Sequence, residues 1–462
     1  MWMDKRNMIL ITIDALRADH VGYYGYPRKT TPFIDKLASK SVVYKNAYST
    51  GPYTKPAFKS IFTGHLPFSK GGYDNIYYLV TMAQIFRENG YITIGFPNTP
   101  VLSRIYGFSR GFKFYMEMKY REPIKRKIMR IKYVGPIVEK ILYRMVKKLP
   151  LKFKRRHYMD AQQFVGFIRE FLEKAKSIIR HRNFFMWFHF MDPHSPYMPP
   201  YLRYCLLVDG DEITLAEARH YNKLLAKFLH GVDVNITSRV VQKFRSLYDG
   251  EIRYLDDNLE VLWNTLDEYD LLDDTVVVLV SDHGDEFYEH GGLGHTGRKF
   301  ITHMYNELLH VPLIIYSNAL SRRDIDKYVS TLDLFFTVLH LVGVRKKVKT
   351  ESLMLPLYND DYKRIILLSE ASYYNRFRMS CRIRYDERRA VSAILYPWKY
   401  ILYESTPPRE ELYNLRKDPY EKTNVATVHR DVTSMFREYV KKRIKHTRRT
   451  HYRYWRLLER KK

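Results

Sequence analysis

DTVVVLVSDHGDEF, residues 274–287, is the stretch whose reading decides the fold. From Thr275 to Val280 every residue is β-branched or leucine. An unbroken apolar run that short reads as a strand covered on both faces, the habit of parallel sheets. It runs into Ser281-Asp282-His283-Gly284, which sets a carboxylate and an imidazole at the C-terminal end of the strand. In an open α/β sheet that edge is where ligands bind.

The same grammar recurs outward from this stretch. Met8 to Ile13 is a short apolar run that stops at Asp14. Val42 to Tyr48 reads as a strand, followed by the loop Ser49-Thr50-Gly51-Pro52-Tyr53, then Thr54-Lys55-Pro56 and a helix from about Ala57. Phe184 to Phe190 is an aromatic strand ended by Met191-Asp192-Pro193-His194-Ser195-Pro196-Tyr197. Tyr91–Phe96 and Val311–Tyr316 add strands, and helical spacing occupies Pro32–Lys40, Thr81–Asn89, Ala161–Ile179, Tyr248–Glu268 and Thr331–Val342. Strands alternating with helices predict an α/β fold, a large and mostly parallel sheet sandwiched by helices.

From about residue 365 the pattern turns to β segments and turns, as a small C-terminal α+β subdomain would show. The chain after 427 is helical and basic. The expected division is a catalytic domain over 1–345, the subdomain over 346–430 and a basic helical tail over 431–462. Residues 119–158 break the rhythm with many Lys and Arg among Ile, Leu, Met and Tyr. They read as a basic insertion that lies on a membrane surface or simply covers the fold. Residues 205–243 read as a second, loop-and-helix insertion.

Composition bounds the partners. The 462 residues are 45% hydrophobic, enough for a sizeable core and too apolar for global disorder. Lys and Arg number 78 against 50 Asp and Glu, a net charge of +28 that attracts anions: phosphorylated or sulfated substrates, anionic lipid or nucleic acid. No nucleic-acid motif accompanies the charge, so a specific nucleic-acid ligand is not expected. The basic tail, with Lys441, Lys442, Arg443, Arg448 and Arg449, is a candidate for peripheral contact with anionic lipids, or for an ordinary solvated helix. Cys205 and Cys381 stand far apart and read as reduced core thiols. No run approaches the ~20 apolar residues of a membrane span, and Met8–Ile13 is too short for a signal segment, so the expected compartment is the cytoplasm. The oligomeric state is not legible.

Asp14, the Thr54 loop, Asp192 with His194, and Asp282 with His283 all lie at or just past strand ends. Each has an ordinary alternative: a capped turn for Asp14 and Thr54, packing for His194, a strand-ending turn for Asp282-His283-Gly284. Their convergence on one sheet edge favours chemistry. Two carboxylates buried together need a cation, and Asp and His are metal-ligand types. A divalent ion lowers the pKa of a hydroxyl beside it, so Thr54 gains a nucleophile's character there. The helix start behind Thr54 offers free backbone N–H groups to an oxyanion.

These residues resemble the sulfatase family of the alkaline-phosphatase superfamily. Asp14-Ala15-Leu16-Arg17-Ala18-Asp19-His20 with Gly22-Tyr23-Tyr24-Gly25 is similar to its first-strand motif. Thr54-Lys55-Pro56-Ala57-Phe58-Lys59, closing on Phe62-Thr63-Gly64, resembles its signature. His189-Phe190-Met191-Asp192-Pro193-His194, Ser281-Asp282-His283-Gly284, Gly294-His295, His310-Val311-Pro312 and Glu411-Leu412-Tyr413-Asn414 follow in the family's order. The resemblance implies an alkaline-phosphatase-like α/β fold and one divalent cation (Mn, Zn, Mg or Ca) held by Asp14, Thr54, Asp282 and His283. It implies Thr54 as nucleophile, with His194 and His295 at the transferred group or the leaving oxygen. Lys55, Asp192, Arg298 and Lys299 are candidates for binding the anionic ester. A second metal on Asp192, His194 and His295 is conceivable.

The departures are as informative. Sulfatases carry a Cys or Ser that becomes formylglycine at the nucleophile position, and Thr54 cannot be so converted. Phe58 stands where the signature has Arg, and Ala15 where the first strand has a second Asp. The set resembles the relatives that use a threonine, among them phosphodiesterases and phosphoglycerol transferases. A phosphoester is therefore the favoured substrate, a sulfate ester the alternative, and an inactive basic binding protein on the same fold the third reading.

Overall fold

The computed structural model describes residues 6–117, 158–295, 301–344, 346, 348–357, 362–373 and 388–459. The basic insertion expected at 119–158, apart from Tyr158, lies outside the described residues, as do Cys381, Arg298 and Lys299. In chain order the strands are β1 (Asn7–Ile13), β2 (Val42–Tyr48), β3 (Ile92–Pro97), β4 (Phe114–Tyr115), β5 (Phe184–Phe190), β6 (Thr275–Ser281), β7 (Glu286–Phe287), β8 (Leu293–Gly294), β9 (His310–Tyr316), β10 (Arg323–Ser330), β11 (Leu367–Ser372), β12 (Arg389–Leu395), β13 (Trp398–Tyr403) and β14 (Arg409–Asn414). The α-helices are α1 (Pro32–Ala38), α2 (Thr54–Thr63), α3 (Met82–Glu88), α4 (Ala161–Ile179), α5 (Arg203–Asp209), α6 (Leu215–Leu229), α7 (Ser238–Glu268), α8 (Asn306–Leu309), α9 (Leu334–Leu341) and α10 (Arg430–Glu459).

Eight strands form the main sheet in the order β10-β2-β9-β6-β1-β5-β3-β4. Neighbours are parallel except where β9 meets β2 and β6. The pleat of β1 shows how two cores arise from one strand. Ile9, Ile11 and Ile13 face Phe33 of α1, Phe164 of α4 and Leu255 of α7. Met8 and Leu10 face Phe58 of α2, Phe86 of α3 and Phe335 of α9. Both sets are buried, so β1 reads as continuously apolar instead of alternating.

Register matters more than content for function. Ile13 of β1 lies level with Phe190 of β5 and with Ser281 of β6. The backbone N–H of Asp14 donates to Phe190 O at 2.9 Å and that of Asp282 donates to Ile13 O at 3.2 Å. The next residues of three strands therefore leave the sheet at one height. The strand expectations hold to within a residue, but two helices start early. α2 begins at Thr54 itself, and α7 begins at Ser238, inside the stretch read as an insertion. The strand β10 was not read from the sequence because RDIDKYVS is a polar edge strand, with only Ile325, Val329 and Ser330 buried.

The antiparallel sheet β11-β12-β13-β14 makes the C-terminal layer. Its cover is α10. Residues 431–462, set apart as a tail by the sequence, begin as part of this core: Phe436, Val440 and Ile444 pack with Val391, Tyr400 and Leu412. Three arginines of α10, Arg437, Arg443 and Arg448, find partners in the C-terminal layer. Arg443 meets Glu370 at 2.8 Å, Glu351 at 2.9 Å and Ser69 Oγ at 2.7 Å. Arg437 pairs with Glu410 and Arg448 with Glu404. No helix among the described residues is long and apolar enough to cross a membrane.

Replacing Arg443 with Ala strands the wholly buried Glu370 carboxylate and costs roughly 3–5 kcal/mol. A thermal melt of Arg443→Ala is expected well below wild type, and a chain cut at 437 is expected not to fold.

Candidate active site

Three level strand ends and one helix start build the site. After β1 the chain delivers Asp14 and turns sharply, with Ala15 in the left-handed region at φ 61°. The Ala15 N–H donates to Asp282 Oδ1 at 3.2 Å and the His283 N–H to the same oxygen at 2.9 Å. Asp282 Oδ2 is left with no hydrogen-bond partner, as is Asp14 Oδ1. Both carboxylates are buried. After β2, Ser49 Oγ donates to Asp282 O at 2.5 Å and ties the nucleophile loop to the end of β6. Gly51 is required in that loop, because a Cβ there would lie 2.6 Å from the Pro56 ring. The loop ends at Thr54, whose hydroxyl stands 3.5 Å from Asp14 Oδ2 and 3.5 Å from His283 Nε2.

His283 donates Nδ1–H to Gly284 O at 2.9 Å, which aims Nε2 at Asp14 Oδ1, 3.3 Å away. Asp14, Asp282 and His283 bring one ligand atom each within 4.8 Å of one another. Two orphaned carboxylate oxygens, an oriented imidazole nitrogen and a hydroxyl are what a divalent cation takes as ligands, so the residues present fit one. The electrostatics agree. Burial, reinforced by Asp14, pushes Asp282 up to about 6. Burial works against a charge on His283, but Asp282 and Asp14 override it and lift its pKa to about 10. Burial likewise opposes ionisation of Asp14, yet His194, His189 and His283 together hold it well below the usual carboxylate range.

The two expected histidines come to the same place. The His194 ring lies 4.9 Å from that of His295, and His295 lies 4.7 Å from His283, centre to centre. His194 donates Nδ1–H to Ser195 O at 2.5 Å. Burial lowers its pKa, so it is neutral at pH 7. His295 Nδ1 donates to Asp285 Oδ1 at 2.8 Å, and Asp285 also accepts from Tyr197 OH at 2.6 Å. Asp285 and Tyr197 were missed as site residues, although Asp285 follows Asp282 by three positions in the motif read first.

Among the described residues, no ligand cluster joins Asp192 to His194 and His295 as a second metal set. The charge of Asp192 acts on Tyr254 of α7, and the group beside His295 is Asp285, which with His283 forms a trio of ligand type. Lys55 places its ammonium over the Tyr106 ring at 3.5 Å, and burial draws its pKa down to about 8. Phe58 is wholly buried among Phe62, Trp187 and His189. Lys59 donates to Pro67 O, Ser69 O and Gly72 O and is structural.

A family model described as Sulfatase matches residues 6–344. The chain belongs to the sulfatase family. A second family model, for the C-terminal part of N-sulphoglucosamine sulphohydrolase, matches residues 295–450. The chain is 24% identical over 447 residues to a choline-sulfatase of Rhizobium meliloti, covering 91% of this chain and 82% of that one. It is 24% identical over 451 residues to an arylsulfatase of Clostridium perfringens, covering 91% and 90%. Its fold matches the crystal structure of a phosphonate monoester hydrolase of Agrobacterium radiobacter with a TM-score of 0.67 at 20% identity, covering 97% and 96%. The sulfatase family comprises ester hydrolases of the alkaline-phosphatase-like fold that use a divalent cation, and the Asp14, Asp282 and His283 cluster is the candidate site for it here.

Cation uptake should displace the His283 proton and require ionised Asp282, so affinity rises with pH and is lost as pH falls through about 6. Calorimetry in two buffers of different ionisation enthalpy at pH 8 is expected to show about one proton released per ion. The Asp282 pKa lies above its unfolded value, so ionising this group costs apo stability as pH rises through about 6. Asp282→Asn is therefore expected to abolish uptake while raising the apo Tm at pH 7.5.

Proposed function

We propose that this chain hydrolyses an anionic ester of the sulfate or phosphate type with Thr54 as the nucleophile. The carrying observation is the Thr54 hydroxyl at equal reach of Asp14 and His283, at the N-terminus of α2. A divalent cation bound by Asp14, Asp282 and His283 beside Thr54 would lower the pKa of the hydroxyl and offset charge on the ester oxygens.

The chain's own residues supply the rest. Thr54 loses its hydroxyl proton to solvent water and attacks the sulfur or phosphorus in line. The alcohol oxygen departs with the bonding pair and takes a proton from His295, which Asp285 orients and whose positive charge Asp285 offsets. The backbone N–H groups at the start of α2 face the negative oxygens of the transferred group. His194, neutral and held by Ser195, offers Nε2 to the same group or to the incoming water. Water then attacks the sulfur or phosphorus and passes a proton to the now neutral His295, Thr54 Oγ leaves with the bonding pair and takes a proton back from solvent, and the inorganic anion is released.

The names of the relatives support a sulfate ester, and that weighs more than the phosphoester preference read from Thr54 alone. The phosphoester remains a second reading because a plain threonine, unlike formylglycine, must return its group by attack at the central atom, which phosphorus accepts readily. Lys55 and the Arg298 and Lys299 positions are proposed contacts for the ester's charge. Peripheral contact with anionic lipid stays a proposal for residues 119–158, whose composition is basic and apolar.

Nitrophenyl sulfate, nitrophenyl phosphate and bis-nitrophenyl phosphate, each tested with Mn, Zn, Mg and Ca, separate these readings. Turnover of one class is expected, falling about 10⁴-fold or more in Thr54→Ala and about 10²- to 10⁴-fold in His295→Ala. Equal turnover by wild type and Thr54→Ala would remove the threonine from the mechanism.

A further inference from the structure

His189 has no part in the reaction above, yet it is the buried side chain that faces Asp14 from the side away from His283. It is the penultimate residue of β5, level with Thr12 of β1 and Pro97 of β3. Its ring is clamped. Phe58 stands against it at 4.9 Å and an interplanar angle of 84°, and Trp187 lies 6.2 Å away, centre to centre. Nδ1 is 2.9 Å from Thr12 Oγ1, which also accepts the Trp187 indole N–H at 2.9 Å. Nε2 is 3.3 Å from Asp14 Oδ2, an ion-pair distance, and makes no hydrogen bond.

The order of these contacts fixes the proton. An indole N–H can only donate, so Thr12 keeps its own hydrogen to give. Its two acceptors are Phe188 O at 3.3 Å and His189 Nδ1 at 2.9 Å, and the shorter contact takes it. Nδ1 is then an acceptor, and the ring proton sits on Nε2, directed at Asp14 Oδ2. The reverse tautomer would press a nitrogen lone pair against a carboxylate oxygen 3.3 Å away. The donors thus run from Trp187 through Thr12 to His189, whose Nε2 stands 3.3 Å from Asp14 Oδ2.

The geometry points to His189 as a positioning residue for the cation site, which holds Asp14 by Oδ2 so that Oδ1 faces the ion. This rests on the metal-assisted reading above. It also gives the two departures from the family pattern a joint sense. With Ala15 in place of a second carboxylate, the orientation of the remaining Asp14 matters more. With Phe58 in place of arginine, the helix α2 presents an aromatic edge that fixes the His189 ring instead of a cation that would compete for Asp14.

The test uses the full chain, stripped with EDTA and titrated with Mn, Zn and Ca separately by calorimetry, beside apo melts. His189→Leu is expected to raise the metal Kd about 10- to 100-fold. His189→Gln, whose amide N–H reaches the same oxygen, is expected to bind close to wild type. Thr12→Val, which lets the ring turn, is expected to fall between them. A leucine variant with a lowered apo Tm and an unchanged Kd would show a packing role and overturn the proposal, as would a glutamine variant no better than leucine. Should the leucine variant fail to fold, an unchanged Kd in Thr12→Val overturns it. A wild type that takes up no ion defeats the metal-assisted reading together with this one, whereas equal uptake by wild type and His189→Leu defeats this one alone.

Discussion

Two carboxylates buried side by side at level strand ends are the constraint on which the rest of the structure depends. Asp14 and Asp282 are both at the floor of solvent exposure. Placing two like charges there is costly unless a cation or protons compensate them. The fold secures the arrangement with its strongest device, the parallel register of β1, β5 and β6, and spends backbone donors on only one oxygen of Asp282. The remaining oxygens are left aimed at a common point. Histidines ring that point because an imidazole can stand in for the cation when protonated and become its ligand when not.

The departures from the sulfatase pattern balance one another. Losing the second aspartate removes a negative charge, and losing the signature arginine removes a positive one, so the net charge of the cradle is unchanged. Ala15 retains φ 61°, a conformation that asparagine and aspartate tolerate better than alanine and that costs about 1 kcal/mol or more. Strain of this kind persists only where its surroundings insist on it, and here the Ala15 N–H is committed to Asp282. The space of the arginine is filled by Phe58 against Trp187 and His189, which makes this wall of the site apolar.

The surplus of positive charge is distributed less freely than composition suggests. In α10, Arg437, Arg443 and Arg448 serve as ion-pair partners for glutamates of the C-terminal sheet and its neighbours, and their helix closes a core. A basic helix at a chain end looks the same in sequence whether its charges face solvent or a buried carboxylate. Only the positions of Glu351, Glu370, Glu404 and Glu410, each far away along the chain, distinguish the two.

The sequence by itself determined six strands of the main sheet, its ligand edge and the candidate residues Asp14, Thr54, His194, Asp282 and His283 along it, while His295 came from the family resemblance. It could do so because buried parallel strands are written as local apolar runs, and because residues just past such runs must emerge at one edge of the sheet. It did not determine β10, a polar edge strand with half a face to bury, or the early start of α2 that makes Thr54 the first helical residue. It also did not reveal Asp285 behind His295 or His189 behind Asp14. Those are decided by which face of the pleat a side chain takes and by contacts between segments far apart in the chain. Such contacts leave no local periodicity, so only the tertiary structure decided them.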